Sequence, residues 1–375
     1  SDDPTQSINR TLQIALSLFL FLSLCVSSLK KEFLLKIVCI PLVIIVLTNI
    51  YLVFYQQEVA LDGGREGVVI HPYGIKETGR AYFPFVNSLL LSMYLSLLFF
   101  VVLYLFVTYK KEKKDKIFYS LLLFFIILVL GFTKGRTALI TVFGLYLILI
   151  MMLYKHKLVS PFPKISFSII GLFLFMILLS SLFTFSFVDV FRSTDYQEES
   201  KISTEEVLEI SIEDSVKSIR TRELDVDTTN AGRMSLHWPT AIVLFKSGPF
   251  FGVGTGMFYY SVVSGKRDIL CQEKELCPDF IQPTDVSSTA HSIYLQVLAE
   301  NGILGFVLFF IIIVHLLTIG YKKTQEEIAK KEFYSLFLLA ALFAFLLQGF
   351  FVSYFDYREI HYLFWFFVGL LLKKE

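Results

Sequence analysis

Residues 101–130 read Val101-Val102-Leu103-Tyr104-Leu105-Phe106-Val107-Thr108-Tyr109-Lys110-Lys111-Glu112-Lys113-Lys114-Asp115-Lys116-Ile117-Phe118-Tyr119-Ser120-Leu121-Leu122-Leu123-Phe124-Phe125-Ile126-Ile127-Leu128-Val129-Leu130. Two apolar runs close on a short block, Lys110–Lys116, that is mostly lysine. A helix rises about 1.5 Å per residue, so about 20 apolar residues cross the hydrocarbon core of a bilayer. Lipid supplies no hydrogen-bond partners, so a spanning segment is either a helix or a strand of a closed barrel. Barrel strands show alternating segments of about ten residues, whereas these runs are longer and continuous. The stretch reads as two transmembrane helices joined by a basic connector.

The same pattern extends in both directions. Nine apolar spans lie at about 11–29, 33–54, 84–109, 117–133, 138–154, 166–188, 303–320, 333–353 and 359–372. The expected fold class is all-α: a polytopic membrane helix bundle with about nine transmembrane helices and a large, helical outer loop. Three regions follow: residues 1–188 with an outer loop at 55–83, a large loop at 189–302 with interfacial helices, and a C-terminal helical region at 303–375. Composition agrees. Of 375 residues, 55 % are hydrophobic, 18 % are charged and 40 are Phe, against about 25 % charged in soluble domains. This excludes a soluble enzyme, a disordered chain and a nucleic-acid binder, and it makes membrane lipids the surrounding partner. The net charge of +1 hides any sidedness.

Lysine-rich connectors follow every second span: Lys30-Lys31, the Lys110 block, Lys155-His156-Lys157, Lys322-Lys323 with Lys330-Lys331, and Lys373-Lys374. The positive-inside rule makes these cytoplasmic. Residues 1–10, 55–83, 134–137, 189–302 and 354–358 then face outward. With residue 1 outside and no signal-peptide pattern in residues 1–10, an odd number of upstream spans is expected. Sorted by side, the cytoplasmic connectors, together with Lys36 at the start of the second span, hold 17 Lys and no Arg, while the outward segments hold 7 Lys and all ten Arg. Lysine is a generic topological charge, and arginine is a planar fork suited to phosphate and carboxylate. Ordinary surface arginines on longer loops are the plain alternative. It serves less well for Arg136 and Arg358, which sit at the ends of apolar spans.

Cys25 and Cys39 fall inside the first two spans and read as apolar fillers. Cys271 and Cys277 lie in the large outer loop. In an oxidising outer compartment they form a local disulfide. A metal pair is the alternative, weakened because no His lies nearby. No carboxylate or His cluster on the outer face suggests a catalytic metal, so no cofactor is expected.

Three outward segments carry candidate chemistry. Thr133-Lys134-Gly135-Arg136-Thr137-Ala138-Leu139 is a tight turn, where Lys134 and Arg136 meet an anion at headgroup level or serve as snorkelling anchors. Asn230-Ala231-Gly232-Arg233 opens an apolar stretch that runs to Phe245, too short and polar to cross a bilayer and suited to its interface. Gly248-Pro249-Phe250-Phe251-Gly252-Val253-Gly254-Thr255-Gly256 follows. It has neither the Lys nor the spacing of a P-loop and reads as a flexible turn with close backbone packing. Arg233 starts the apolar stretch, where backbone N–H groups favour anions.

The third segment is Thr289-Ala290-His291-Ser292-Ile293-Tyr294-Leu295-Gln296-Val297-Leu298-Ala299-Glu300-Asn301-Gly302-Ile303-Leu304-Gly305. Its periodicity predicts a short helix before the seventh span, with His291 at the N-terminus. That position disfavours the imidazolium and leaves a ring able to act as a base. A polar cap is the alternative. His71, with Arg65 and Arg80 in the 55–83 loop, is a further substrate-binding candidate. His237 and His361 read as isolated, His315 as packed within the seventh span, and His156 as cytoplasmic.

Taken together, the Gly-Arg-Thr-Ala-Leu turn, Ala-Gly-Arg followed by an apolar stretch and Gly-x-Gly-x-Gly, and above all His291-Ser292-x-Tyr294-Leu295-Gln296-x-Leu298-Ala299-Glu300-x-Gly302-x-x-Gly305 resemble the O-antigen ligase and polymerase superfamily. The likeness runs from about residue 55 to the C-terminus. It implies a multi-pass glycosyltransferase of the bacterial inner membrane, active on the periplasmic side in lipopolysaccharide biosynthesis. The donor it implies is a glycan on undecaprenyl diphosphate, and the acceptor is lipid A–core or a lipid-linked glycan. The implied reaction inverts the anomeric carbon without a metal. By the same resemblance Arg136 and Arg233 hold the donor diphosphate, and His291 takes the proton of the acceptor hydroxyl. Ser292 departs from the commoner Asn after the histidine, which puts in doubt a hydrogen bond that Asn supplies.

Ligase and polymerase share these motifs. Glu77-Thr78-Gly79-Arg80-Ala81-Tyr82 and the single large outer loop lean toward a ligase. A transporter or channel needs charged or broken helices at mid-membrane, and the spans are almost free of charge.

Overall fold

A computed structural model describes residues 4–61, 84–85, 88–108, 113–133, 135–156, 169–176, 237–258, 261, 289–353 and 357–373. Regular structure among them is helical. The helices are α1 (Pro4–Val26), α2 (Lys31–Leu61), α3 (Ser88–Thr108), α4 (Lys113–Phe132), α5 (Arg136–Lys155), α6 (Trp238–Ser247), α7 (Ile293–Ala329), α8 (Tyr334–Gln348) and α9 (Arg358–Leu372). Among the described residues, five segments have the length and apolar character to cross a membrane: Lys31–Leu52, Ser88–Thr108, Lys114–Phe132, Arg136–Lys155 and Ile293–Ala329. Ala15–Val26, Tyr334–Gln348 and Glu359–Leu372 are shorter apolar helices. The chain is an all-α, multi-pass membrane protein. Of the span expected over 166–188, residues 169–176 are described and are helical.

The chain divides into two compact units. One comprises Ser1–Gln13, Ser181–Ile311 and Phe350–Asp356; the other comprises Ile14–Ser180, Ile312–Gly349 and Tyr357–Glu375.

The second unit is built around α3, which packs on α8, α4, α5, α9 and α2. Lipid is as apolar as leucine, so close packing rather than water exclusion holds such helices together. The sequence of α3 serves this on every side: buried residues run from Ser88 to Phe106 with few interruptions. Phe99 forms edge contacts with Tyr146 at 5.9 Å and with Phe173 at 5.5 Å between ring centroids. Ser92 and Ser96 add small volume, and their hydroxyls are satisfied by Leu89 and Ser92 carbonyls of the same helix at 2.7 and 2.6 Å, as serines in apolar helices require.

The lysines of this unit close helix ends. Lys373 Nζ donates to the Leu24 carbonyl at 3.3 Å, to Ser27 Oγ at 2.9 Å and to the Ser27 carbonyl, closing the C-terminal end of α1. Lys323 Nζ donates to the carbonyls of Leu371 and Lys373 at 2.9 and 2.8 Å, closing α9. Cations belong at helix C-termini, where carbonyls lack intrahelical partners. The carboxylate of Glu327 does the converse at the start of α8, accepting Ser335 N–H and Oγ–H at 2.6 Å each.

Two expectations about histidines need correction. His361 is not isolated. It is buried on α9, where Trp365 Nε1–H donates to its Nε2 at 2.9 Å and Ser17 Oγ of α1 lies 3.4 Å from its Nδ1. An indole N–H only donates, so Nε2 is an acceptor and the second proton position is Nδ1. His315, expected to be packed, is exposed on α7, because the buried stripe of that stretch runs through Ile313 and Leu316 on another face. Cys25 and Cys39 are free thiols within α1 and α2.

The first unit carries α6, the glycine-rich segment 248–258, residues 289–292 and the opening of α7. Its core is Ala241, Leu244, Phe258, Ala290 and Ala299, with Val253 and Leu295 packed against it.

Candidate active site

The expected short helix before the seventh span and the span itself are one element, α7, interrupted at Gly302 (φ 64°, ψ −167°). An interruption orphans backbone groups on both sides. In an unbroken helix the N–H groups of Ile303 and Leu304 would bond the carbonyls of Ala299 and Glu300. Here Ile303 donates to Pro249 at 2.8 Å and Leu304 to Phe250 at 3.4 Å, while Ala299 and Glu300 accept from Val253 at 3.0 Å and Gly254 at 2.9 Å. The glycine-rich segment therefore completes the backbone bonding of the broken helix. The approach is so close that a Cβ on Gly252 (φ 71°) would lie 2.4 Å from the Glu300 carbonyl oxygen, and one on Gly302 would lie 2.4 Å from that of Phe250. The close backbone packing expected of this segment is present.

The break fixes Glu300, which is buried. Its carboxylate accepts from Gly256 N–H at 2.8 Å, Phe258 N–H at 3.3 Å and Gln296 Nε2 at 2.6 Å. A buried carboxylate is costly unless several donors meet it, and three do. Gln296, oriented by Glu300, turns its Oε1 to the Ala290 N–H at 2.7 Å. One residue later stands His291.

His291 adopts φ 49°, a left-handed conformation that costs a residue with a Cβ about 1–2 kcal/mol. It persists because its neighbours are pinned. Ala290 is held by Gln296, Ser292 N–H donates to Ser353 Oγ at 3.0 Å, and His291 N–H reaches Thr289 Oγ1 at 3.5 Å. Strain of this kind marks positions whose surroundings over-determine them. Ser292, which stands where Asn is commoner, caps α7: its carbonyl accepts from Gln296 N–H at 2.9 Å, and its Oγ lies 3.5 Å from Leu295 N. The His291 ring is half-buried and lies 4.6 Å, centroid to centroid, from the ring of His237, tilted by 52°.

His237, which reads as isolated in the sequence, is thus a neighbour of His291. It is 2 % exposed and stands at the N-cap of α6. Helical spacing carries the missed signal. His237, Ala241 and Leu244 fall at i, i+4 and i+7, one face of a helix, and that face is buried beside Ala290. Gln296, Glu300 and Ser353 were also missed. The first two share a face of α7 at i and i+4, whereas Ser353 arrives from 61 residues away and leaves no local trace.

Arg136 belongs to the other unit. It is exposed at the first position of α5, after Gly135, whose N–H donates to Thr133 Oγ1 at 3.2 Å. A Cβ on Gly135 would sit 3.0 Å from Ser92 of α3, so glycine lets this turn close on α3 and begin α5 at that point. The helix N-terminus and the guanidinium both favour an anion. Arg358 opens α9, with its side chain outside the described residues. Arg65, His71, Arg80, Lys134, Arg233, Cys271 and Cys277 also lie outside the described residues. Among the described residues, no group of three or more His, Cys, Asp or Glu is placed to hold a metal.

A family model described as O-Antigen ligase matches residues 121–310, just over half of the chain and a stretch that contains Arg136, Arg233, His237 and His291. No curated protein matches the chain.

Proposed function

The chain belongs to the O-antigen ligase family, and from that premise we propose that it is an inverting, metal-independent glycosyltransferase that moves O-antigen polysaccharide from undecaprenyl diphosphate to lipid A–core at the periplasmic face of the inner membrane. The observation that carries this reading is His291: a histidine in a strained left-handed conformation, at the N-terminus of a broken apolar helix, with the backbone on both sides anchored by side chains. It stands in the matched region and heads the most specific family-like motif.

In the proposed reaction the acceptor hydroxyl oxygen attacks the anomeric carbon of the donor. The bond from that carbon to the diphosphate oxygen breaks on the opposite face, so the configuration inverts. His291 takes the hydroxyl proton as general base, a role worth about 10²–10⁴-fold in rate. The leaving group is undecaprenyl diphosphate, whose negative charge grows as the bond breaks. Arg136 and Arg233 are assigned to that charge, the work a metal ion performs in other glycosyltransferases. Arg65, Arg80, His71, Lys134 and Arg358 are further candidates for substrate binding. Cys271 and Cys277 are assigned to a disulfide in the periplasmic loop, and activity is expected to persist in chelator.

Repeat-unit polymerisation with the same donor is the competing assignment, since both reactions share this motif set. Lipopolysaccharide from a deletion strain distinguishes them on a gel. A bare core with polymer retained on the lipid carrier supports the ligase. A core bearing one repeat means polymerase, and unaltered lipopolysaccharide contradicts both.

A further inference from the structure

The His237 ring is aligned on His291 by its own helix rather than by chance of a loop. His237 shares a buried face with Ala241 and Leu244, and that face packs on Ala290 and Ala299. Ala290 is the residue whose N–H Gln296 holds, so one small core fixes both the backbone under His291 and the helix that carries His237. The two rings meet at 4.6 Å and 52°, within the 4.5–7 Å range of tilted aromatic pairs. On α6 and on α7 before its break at Gly302, the described charges are Lys246 at the far end of α6 and Glu300, occupied by three N–H donors.

We infer that His237 is a positioning residue for His291: its buried ring is the wall against which the His291 imidazole is held in the orientation that receives the acceptor's proton. This rests on the reading of His291 as the base. A base gains its effect from alignment, and misplacement by about 1 Å costs on the order of 10²-fold. A ring packed against the imidazole at this tilt limits its rotation. The ring face matters here, not the imidazole nitrogens of His237, which separates this role from acid–base participation.

The test uses the full chain, purified in lipid nanodiscs, with O-antigen on undecaprenyl diphosphate as donor and core-only lipopolysaccharide as acceptor. His237→Leu removes the ring and is expected to lower kcat about tenfold while KM for the donor stays within about twofold. His237→Phe restores the ring without its nitrogens and is expected to recover kcat to more than about a third of wild type. Thermal unfolding of each variant checks folding. Should the Leu variant not fold, His237→Met, apolar and of adaptable shape, is held to the same criteria. An unchanged kcat in the ring-less variant, a rise in KM alone, or a Phe variant no better than Leu would overturn the inference. His291→Ala in the same assay keeps the two readings apart. If it is active, the base assignment fails; if it is inactive beside a fully active His237→Leu, only the positioning role fails.

Discussion

Two histidine settings in this molecule are built in opposite ways. At His361 the ring is the object of the bonding: Trp365 donates to one nitrogen and Ser17 Oγ stands at the other, tying α9 to α1. At His291 the backbone is the object: Gln296, Ser353 and Thr289 hold the peptide groups at and beside it, and φ is driven to 49°. A histidine that closes its nitrogens on neighbouring helices serves stability. In the proposed function, the histidine whose main chain is clamped, with its ring set against a second ring, is the one that meets a reactant. Residue type does not separate the two; the bonding pattern does.

Substitutions break this comparison in a graded order. His291→Ala removes the proposed base and is expected to lower transfer about 10²–10⁴-fold, with thermal unfolding within a few degrees of wild type, because the Ala290 and Ser292 amides keep their partners. Gly252→Ala comes next. Its Cβ would meet the Glu300 carbonyl at 2.4 Å with φ at 71°. Overpacking and left-handed strain together cost about 3 kcal/mol or more, read as a large fall in unfolding temperature and a loss of transfer. Glu300→Gln replaces a carboxylate that accepts three N–H groups with an amide, a loss of about 2 kcal/mol. Partial loss of transfer is expected because Ala290 loses its indirect support. His361→Phe is the smallest, about 1 kcal/mol for the Trp365 hydrogen bond, with transfer unchanged. Reversed ranks for Glu300→Gln and His361→Phe in the activity assay would contradict the comparison.

The sequence was informative where one physical rule dominates. Continuous apolar runs between lysine blocks placed α3, α4, α5 and α9, and the starts of α2 and α8, within a few residues, because lipid permits only helices there; α2 continues to Leu61, into the stretch expected as an outer loop. The motif around His291 was legible as a unit, yet its construction was not. Gly302 looked like the end of one helix and the start of another, while the backbone bonding that joins both to residues 249–254 is made between segments about 50 residues apart. The lysines illustrate the same boundary: their clustering underlies the expected sidedness, whereas the capping of α1 by Lys373 depends on an encounter between chain ends. His237 shows what was readable and missed. Its spacing to Ala241 and Leu244 marks it as inward-facing, but only tertiary packing places His291 against it. His315 errs the other way, since an apolar span has no polarity pattern to show which face meets lipid.

The most direct measurement is transfer by purified wild type and His291→Ala in lipid nanodiscs, with O-antigen on undecaprenyl diphosphate as donor and core-only lipopolysaccharide as acceptor. Wild type is expected to attach polymer to the core. His291→Ala is expected to remain folded and bind the donor without transferring it. Transfer by His291→Ala at the wild-type rate would contradict the assignment of His291 as the base.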